Sequence, residues 1–134
     1  FEEVGLLLAK PAPAPEGPVP EDWRGFLDKG LAPALDELDL IMRAITPTYS
    51  PKRFHARFFL ANAERASGEV SGSGELEDIR WFSIAEAIAI PLVDVTESVV
   101  RAAERFLDEP NARLATDPVP LFSYRGDARV MPRR

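Results

Sequence analysis

Cysteine is absent from this sequence of 134 residues, and histidine occurs only once. The absence of cysteine excludes disulfides, thiolate zinc sites and a cysteine nucleophile, and it fits a reducing compartment. Long apolar runs are also absent: the longest candidate, residues 85–95, is interrupted by Glu86, Pro91 and Asp94, so it is too polar to span a bilayer. We therefore expect no membrane partner.

Lysine is scarce, because only three of the 16 basic residues are lysine and the rest are arginine. Together with abundant alanine and proline, this bias is typical of a GC-rich genome, and we expect a bacterial cytoplasmic protein. The 22 acidic residues outnumber the basic ones, and the net charge is −6. Because an acidic domain repels a polyanion on average, nucleic acid is not an expected partner.

The length suits one domain over residues 1–134, and a hydrophobic fraction of 46% is enough for a packed core. The chain begins at Phe1 inside a helical pattern, so we expect the N-terminal part of the domain to be missing from it. Gly5 follows two carboxylates and precedes the apolar residues 6–9. This order predicts a helix C-cap that leads into a buried strand.

Proline and glycine divide the next part of the chain. Residues 10–20 carry five prolines and predict an extended surface connection. Residues 21–30 place Trp23 and other apolar residues at helical spacing, which predicts a short amphipathic helix within a helical insertion over 21–37. Residues 66–74 are rich in glycine and serine and predict a flexible loop.

Apolar periodicity predicts the remaining elements. Residues 34–46 fit a helix and a strand equally well, whereas 53–61 alternate as a strand does, and we interpret 75–82 as a strand with mixed faces. The spacing of Ser83 and Glu86 predicts a capping box that opens a short helix. A longer amphipathic helix follows Thr96, and the tail predicts a hairpin around residues 126–127. The mixture indicates an α/β or α+β domain.

Two neighbouring carboxylates, Glu2 and Glu3, are the first candidates for chemistry. Adjacent residues on a helix point about 100° apart, so both carboxylates can contact one or two hard cations from neighbouring angles. Mg²⁺ prefers oxygen ligands and keeps sites for water and for substrate phosphates. For an arbitrary pair of glutamates, a solvated acidic turn is the commoner explanation.

Three segments resemble the Nudix hydrolases. FEEVGLLLA (1–9) resembles the end of the Nudix box, G-x5-E-x7-R-E-U-x-E-E-x-G-U with U a bulky apolar residue, at Glu2, Glu3, Gly5 and Leu6. RAITPTYSPKRFHARFFLA (43–61) is similar to the R-x-I-T-P…R-R-F-x-x-R-F-F segment of a branch that includes bacterial enzymes and peroxisomal coenzyme A diphosphatases. GELEDIRWFSIAEAI (74–88) resembles the E-x-x-x-x-x-W-x-x-x-x-E-A element after the variable loop. The likeness covers nearly the whole chain in the right order.

This resemblance implies an α/β/α Nudix sandwich with a mixed sheet, in which residues 38–46 form a strand that pairs with 53–61. Glu2 and Glu3 are then ligands of Mg²⁺ or Mn²⁺, acting with a glutamate of the R-E pair ahead of Phe1, and Glu3 is the expected catalytic glutamate. Because the R-E pair is not part of residues 1–134, we expect these 134 residues to be inactive when they are expressed alone.

The implied reaction is hydrolysis of a diphosphate linkage in a nucleoside diphosphate joined to another group, such as coenzyme A or a related nucleotide. Nudix domains often pair, so a homodimer is a further expectation. One alternative is a non-catalytic Nudix-like domain that binds a nucleotide or another partner. This alternative would be favoured if the residues ahead of Phe1 do not read R-E-U. A second alternative is an interaction domain of an unrelated α+β fold.

Further candidates follow from the same segments. Glu75, six residues before Trp81 as in the family pattern, is the better candidate than Glu77 for the general base, although a solvated strand edge explains both. Arg53, His55 and Arg57 form a basic stripe on one strand face. Arg53 and Arg57 are expected to bind substrate phosphate through their guanidinium groups, and solvated or salt-bridged arginines are the alternative.

The aromatic side chains divide between core and substrate roles. Trp23 lies on the helix after the proline-rich connection, where a lid or specificity role is one expectation. Trp81 is expected to be a core anchor, because it lies in a predicted strand. Phe54 and Phe58 are expected in the core.

Overall fold

The computed structural model describes residues 3–13, 16–72, 74, 76, 78–109, 119–125 and 128–130. Helices and strands are both present, so the chain has a mixed α and β composition. The chain divides into two compact units, the first formed by residues 1–38 and 61–81 and the second by residues 39–60 and 82–134. Among the described helices, none is both long and apolar enough to cross a membrane.

The first unit contains two small antiparallel ladders. Strands β1 (Leu6–Leu7) and β6 (Ser67–Gly68) form one ladder, and strands β2 (Ala9–Pro11) and β3 (Leu31–Pro33) form the other. The stretch 66–74, predicted as a flexible loop, thus contributes two residues to a strand pair. Proline cannot donate a ladder hydrogen bond, and Pro11 is tolerated because it is the last residue of a two-stranded ladder.

The helical part of the first unit is shorter than its sequence predicts. A 3-10 turn at Glu21–Trp23 continues into helix α1 (Arg24–Leu27), which is followed by a turn that ends at Gly30 with a φ of +67°. A helix within 21–30 is therefore confirmed. The rest of 21–37 is helical only at the 3-10 turn Leu35–Glu37, because β3 occupies the residues before it.

The second unit is built on a four-stranded sheet in the order β5-β4-β7-β8. Strands β4 (Asp39–Ile45) and β5 (His55–Leu60) pair antiparallel, with an irregularity between Leu40 and Met42. The prediction that residues 38–46 form a strand paired with 53–61 is confirmed, and the helical alternative for 34–46 is wrong. A backbone hydrogen bond from the Thr46 N–H to the Phe54 carbonyl oxygen, 3.1 Å long, closes the connection between the two strands.

The other half of this sheet comes from the end of the chain. Strand β7 (Leu121–Arg125) lies parallel to β4, and strand β8 (Ala128–Val130) pairs antiparallel with β7. The predicted terminal hairpin is confirmed, although the turn residues 126–127 lie outside the described residues.

Two helices connect β5 to β7 in sequence. Helix α2 (Ile84–Ala89) begins with the predicted capping box: the Ser83 hydroxyl oxygen accepts from the Glu86 N–H, and the Glu86 carboxylate accepts from the Ser83 N–H at 2.8 Å. Helix α3 (Asp94–Asp108) follows the apolar spacing of the sequence, but it includes Thr96, after which the helix is predicted to begin.

The hydrophobic core of the second unit lies between α3 and the sheet. Its central side chains are Met42 and Phe122, both fully buried, and the Phe122 ring contacts the Tyr124 ring edge to face with centroids 5.3 Å apart. The buried cluster is completed by Ile41, Ala44, Ala102 and Phe106, and Phe58, Leu60, Val95, Val99 and Ala103 pack against it. The prediction that Phe58 belongs to the core is confirmed.

Three expectations about the sheet and core are wrong. The described residues between 74 and 82 form no strand, because the backbone turns at Gly74 and at Asp78, whose φ values are positive. Trp81 is 66% exposed and Phe54 is 64% exposed, so neither is a core anchor. Phe54 precedes β5, where strand alternation no longer dictates which side is buried.

Candidate functional site

Glu3 lies in a turn immediately before β1, and its side chain is exposed to solvent. The next residues are held in place by the backbone: the Ser71 N–H donates to the Val4 carbonyl oxygen at 3.2 Å, and Leu6 and Leu7 pair with β6. An exposed carboxylate on a fixed turn is free to contact a cation and its water ligands. The geometry therefore fits a metal-binding role for Glu3, and it equally fits a solvated carboxylate.

Gly5 is required by the geometry of this turn. Its φ is +74°, in the left-handed region that glycine adopts without steric cost. A β-carbon at Gly5 would overlap the carbonyl oxygen of Glu69 and would lie 2.6 Å from the Ser71 Oγ. Gly68, on strand β6, is restricted to glycine in the same way, because a β-carbon there would overlap the Gly5 carbonyl oxygen. The predicted strand after Gly5 is confirmed, but the described residues before Gly5 form a turn where a helix end is expected, and Leu6 and Leu7 are half-buried where a buried strand is expected.

The other carboxylates of the expected set are not all described. Glu2 and Glu75 lie outside the described residues, as does Glu77. Among the residues that are described, no group of three or more histidine, aspartate or glutamate side chains is close enough together to hold a metal ion. The described part of the chain thus supplies one carboxylate, Glu3, of the ligand set that the resemblance implies.

The basic stripe is arranged along β5 as its alternation predicts. His55 and Arg57 are exposed, whereas Ala56, Phe58 and Leu60 between and beyond them are half-buried. Arg53, two residues before the strand begins, is also exposed. Within the described residues no ion pair involves Arg53 or Arg57, so both guanidinium groups are accessible to an anion.

A basic residue that opens the R-x-I-T-P segment, and that is not among the candidates from the sequence, lies beside this stripe. The β4–β5 register places Arg43 directly opposite Arg57, and Ile45 opposite His55. Arg43 is half-buried, and its Nε has no hydrogen-bond partner in the described structure. Its position could be found only from the strand register, because the two arginines are separated in sequence by a turn and look unrelated there.

Both tryptophans are exposed, which differs from the expectation for Trp81 only. Trp23 ends the 3-10 turn before α1 and is 37% exposed, so part of its ring is available for contacts. This exposure permits the predicted lid or specificity role without testing it. Trp81, expected in the core, is the more exposed of the two.

Two exposed carboxylates elsewhere have perturbed acidities. A hydrogen bond from the Lys10 ammonium, 2.6 Å from the Asp36 carboxylate, lowers the pKa of Asp36. Hydrogen bonds from Ser83 lower the pKa of Glu86, and the bond from the Ser83 hydroxyl has a larger effect than the bond from the Ser83 N–H. Both effects stabilise an ionised carboxylate in a structural contact, so neither residue is suited to be a general base near neutral pH.

Comparisons of the chain with protein-family models, with curated proteins and with solved structures give no match. The comparisons therefore assign no family and no function to this chain.

Proposed function

We propose that this chain is part of a Nudix-type pyrophosphohydrolase with an α/β/α sandwich fold. Its reaction is the hydrolysis of a diphosphate linkage in a nucleoside diphosphate joined to another group, coenzyme A or a related nucleotide, and it requires Mg²⁺ or Mn²⁺. Water attacks one phosphorus atom, and the bond between that phosphorus and the bridging oxygen breaks. The two products each carry a phosphate group.

The observation that carries this proposal is the antiparallel pairing of β4 with β5. The Nudix resemblance requires a strand at residues 38–46 paired with 53–61, whereas periodicity alone fits a helix at 34–46 equally well. The observed register, with Arg43 opposite Arg57 and Ile45 opposite His55, meets that requirement. The resemblance therefore predicted a long-range feature that composition and spacing left open, which supports the proposal.

A second support is the turn at Glu3. In the Nudix box the glutamate pair precedes a glycine and an apolar residue, and here Gly5 adopts a positive φ and Leu6 begins β1. In the proposed site Glu2 and Glu3 hold the divalent cation, which when bound neutralises phosphate charge and lowers the pKa of a bound water. Arg53 and Arg57 orient the phosphates through their exposed guanidinium groups. Glu75 is the proposed acceptor of the proton from the attacking water.

The test is a hydrolysis assay with the natural full-length protein, including whatever precedes Phe1. Coenzyme A, ADP-ribose, a dinucleoside polyphosphate and a nucleotide sugar are incubated with Mg²⁺ or Mn²⁺, and phosphate-bearing products are measured. We expect turnover of at least one substrate, and a loss of kcat of at least about 10- to 100-fold in Glu3→Gln, because even mutation of the groups that support metal ligands costs this much.

Glu64→Gln is the matched control, because Glu64 is an exposed glutamate in a 3-10 turn of the same unit. Both variants should keep the free energy of unfolding within about 0.5 kcal/mol of wild type, as surface substitutions do. Equal losses of rate in the two variants, or a loss in Glu3→Gln that is matched by unfolding, would contradict a catalytic role. Nucleotide binding without hydrolysis of any substrate would favour the non-catalytic alternative.

A further inference from the structure

Two arginines face each other across neighbouring strands of the four-stranded sheet. Arg43 on β4 and Arg57 on β5 are register partners. Directly opposite residues on an antiparallel pair have their Cβ atoms about 4.5–5.5 Å apart and share one face of the sheet. Like charges in this position repel each other, so the pair is unfavourable unless an anion neutralises it.

The surroundings of the pair make this cost larger. The Nε of Arg43 is buried and has no hydrogen-bond partner within the described residues. The next register pair on the same face of the sheet, Ile45 with His55, supplies no carboxylate. A buried charged donor that lacks an acceptor is strongly disfavoured, because it has lost its hydration without gaining a replacement.

No carboxylate on the two strands is placed to neutralise the pair. The only acidic residue of β4 and β5 is Asp39, four residues from Arg43 and thus about 13 Å away along the strand. At physiological ionic strength this separation exceeds the screening length of about 8 Å. The ion pairs formed among the described residues do not include Arg43 or Arg57.

We propose that Arg43 and Arg57 together bind one phosphoryl group. The guanidinium fork matches two oxygens of a phosphate with parallel hydrogen bonds, and the exposed Arg57 makes the pair accessible from solvent. A diphosphate linkage carries about one negative charge on each of its two phosphoryl groups, so the bound phosphoryl group and its neighbour together balance two guanidinium groups. A single carboxylate would leave the pair with one uncompensated positive charge.

The identity of the phosphoryl group as part of a substrate diphosphate rests on the proposed function, but its binding does not require the metal. The test therefore uses inorganic pyrophosphate in the presence of EDTA, so that no divalent cation contributes. Binding is measured by calorimetric titration at fixed ionic strength for the full-length wild-type protein, for Arg43→Gln and Arg57→Gln, and for the double variant.

We expect wild type to bind pyrophosphate, and each single variant to bind about tenfold or more weakly, as expected for loss of a charged hydrogen-bonding group. The double variant should bind little more weakly than either single variant, because both side chains act on one anion. Arg105→Gln is the control of equal charge change, since Arg105 is an exposed arginine of α3 in the same unit. It should change the dissociation constant less than twofold.

Arg57 is exposed, so Arg57→Gln keeps the experiment decisive even if Arg43→Gln fails to fold. Arg57→Lys, which keeps the charge and loses the fork, should bind with an intermediate affinity. The inference is overturned if wild type binds no pyrophosphate, if Arg57→Gln binds like Arg105→Gln, or if malonate binds as tightly as pyrophosphate. Pyrophosphate binding without hydrolysis of any diphosphate would support the inference and refute the proposed function. Hydrolysis of a diphosphate without this pyrophosphate binding would support the proposed function and refute the inference.

Discussion

Replacing Gly5 by alanine should destabilise the first unit more than replacing any glycine that has open space around it. Two effects add at this position. Alanine in the left-handed region costs about 1–2 kcal/mol, and the φ of Gly5 is +74°. The new methyl group would also overlap the carbonyl oxygen of Glu69, a backbone atom that cannot move aside as a flexible side chain can.

The magnitude follows from these two terms. Inserting a methyl group into a filled space costs about 1–3 kcal/mol. The sum for Gly5→Ala is therefore about 2–5 kcal/mol, a large part of the roughly 5–15 kcal/mol that keeps a domain folded. Gly30→Ala is the matched control: its φ is +67°, but a β-carbon at this position would meet nothing within 4 Å, so it should cost only about 1–2 kcal/mol.

The assay is urea unfolding of wild type and both variants, with the free energy of unfolding extrapolated to water. The difference between Gly5→Ala and Gly30→Ala isolates the contact with the Glu69 carbonyl oxygen from the backbone strain that both variants share. A loss in Gly5→Ala no larger than in Gly30→Ala would refute the close approach of the two backbones. Under the proposed function, hydrolysis should also fall in Gly5→Ala, because Glu3 lies in the same turn.

Three further predictions concern the rest of the structure. Phe122→Ala should lower the free energy of unfolding by about 3–5 kcal/mol in urea titrations, because the ring is fully buried, and an effect below about 1 kcal/mol would contradict that burial. Ser83→Ala should destabilise by about 1 kcal/mol in the same assay and raise the pKa of Glu86 in an NMR titration, whereas an unchanged pKa would argue against the capping box. Lys10→Met should raise the pKa of Asp36. The stabilisation that this pair gives to the folded state is present above the ordinary carboxyl pKa and is lost as the pH falls through the lowered pKa. A difference in the free energy of unfolding between wild type and variant that persists below both pKa values would contradict this prediction.

The sequence predicted best those elements whose signals are local. The capping box depends on two residues three apart, and the apolar spacing of α3 depends on one helix, so both were predictable without any knowledge of the fold. Residues 34–46 were not, because their apolar residues satisfy helical and strand periodicity together. Pairing with β5 decided the outcome, and that interaction is invisible to a local pattern.

The predicted strand at 75–82 shows the opposite failure. Its alternation put charged and apolar residues on both faces, so neither face offered a consistent gain from burial. Asp78 instead adopts a φ of +53°, a conformation that aspartate tolerates better than most residues and that interrupts an extended strand. The exposed position of Trp81 follows from the loss of that strand.

The candidate site was predictable in part. Glu3 and the exposed stripe of Arg53 and Arg57 were identified from motif and alternation, and the described geometry keeps all three accessible. Arg43 was not a candidate, although it opens the R-x-I-T-P segment, because its position opposite Arg57 is visible only in the register of the two strands.

The parallel pairing of β4 with β7 has a consequence for the order of folding. Strands β4 and β5 are joined by a short connection and can meet early, whereas β7 reaches β4 only after α2 and α3 have been synthesised. Contacts between distant parts of a chain form slowly because loop closure opposes them. Strand β7 supplies Phe122 to the core, so the β4–β5 pair lacks this buried ring until β7 has been synthesised. Until then, the apolar face of β4 and β5 is exposed to chaperones and to aggregation.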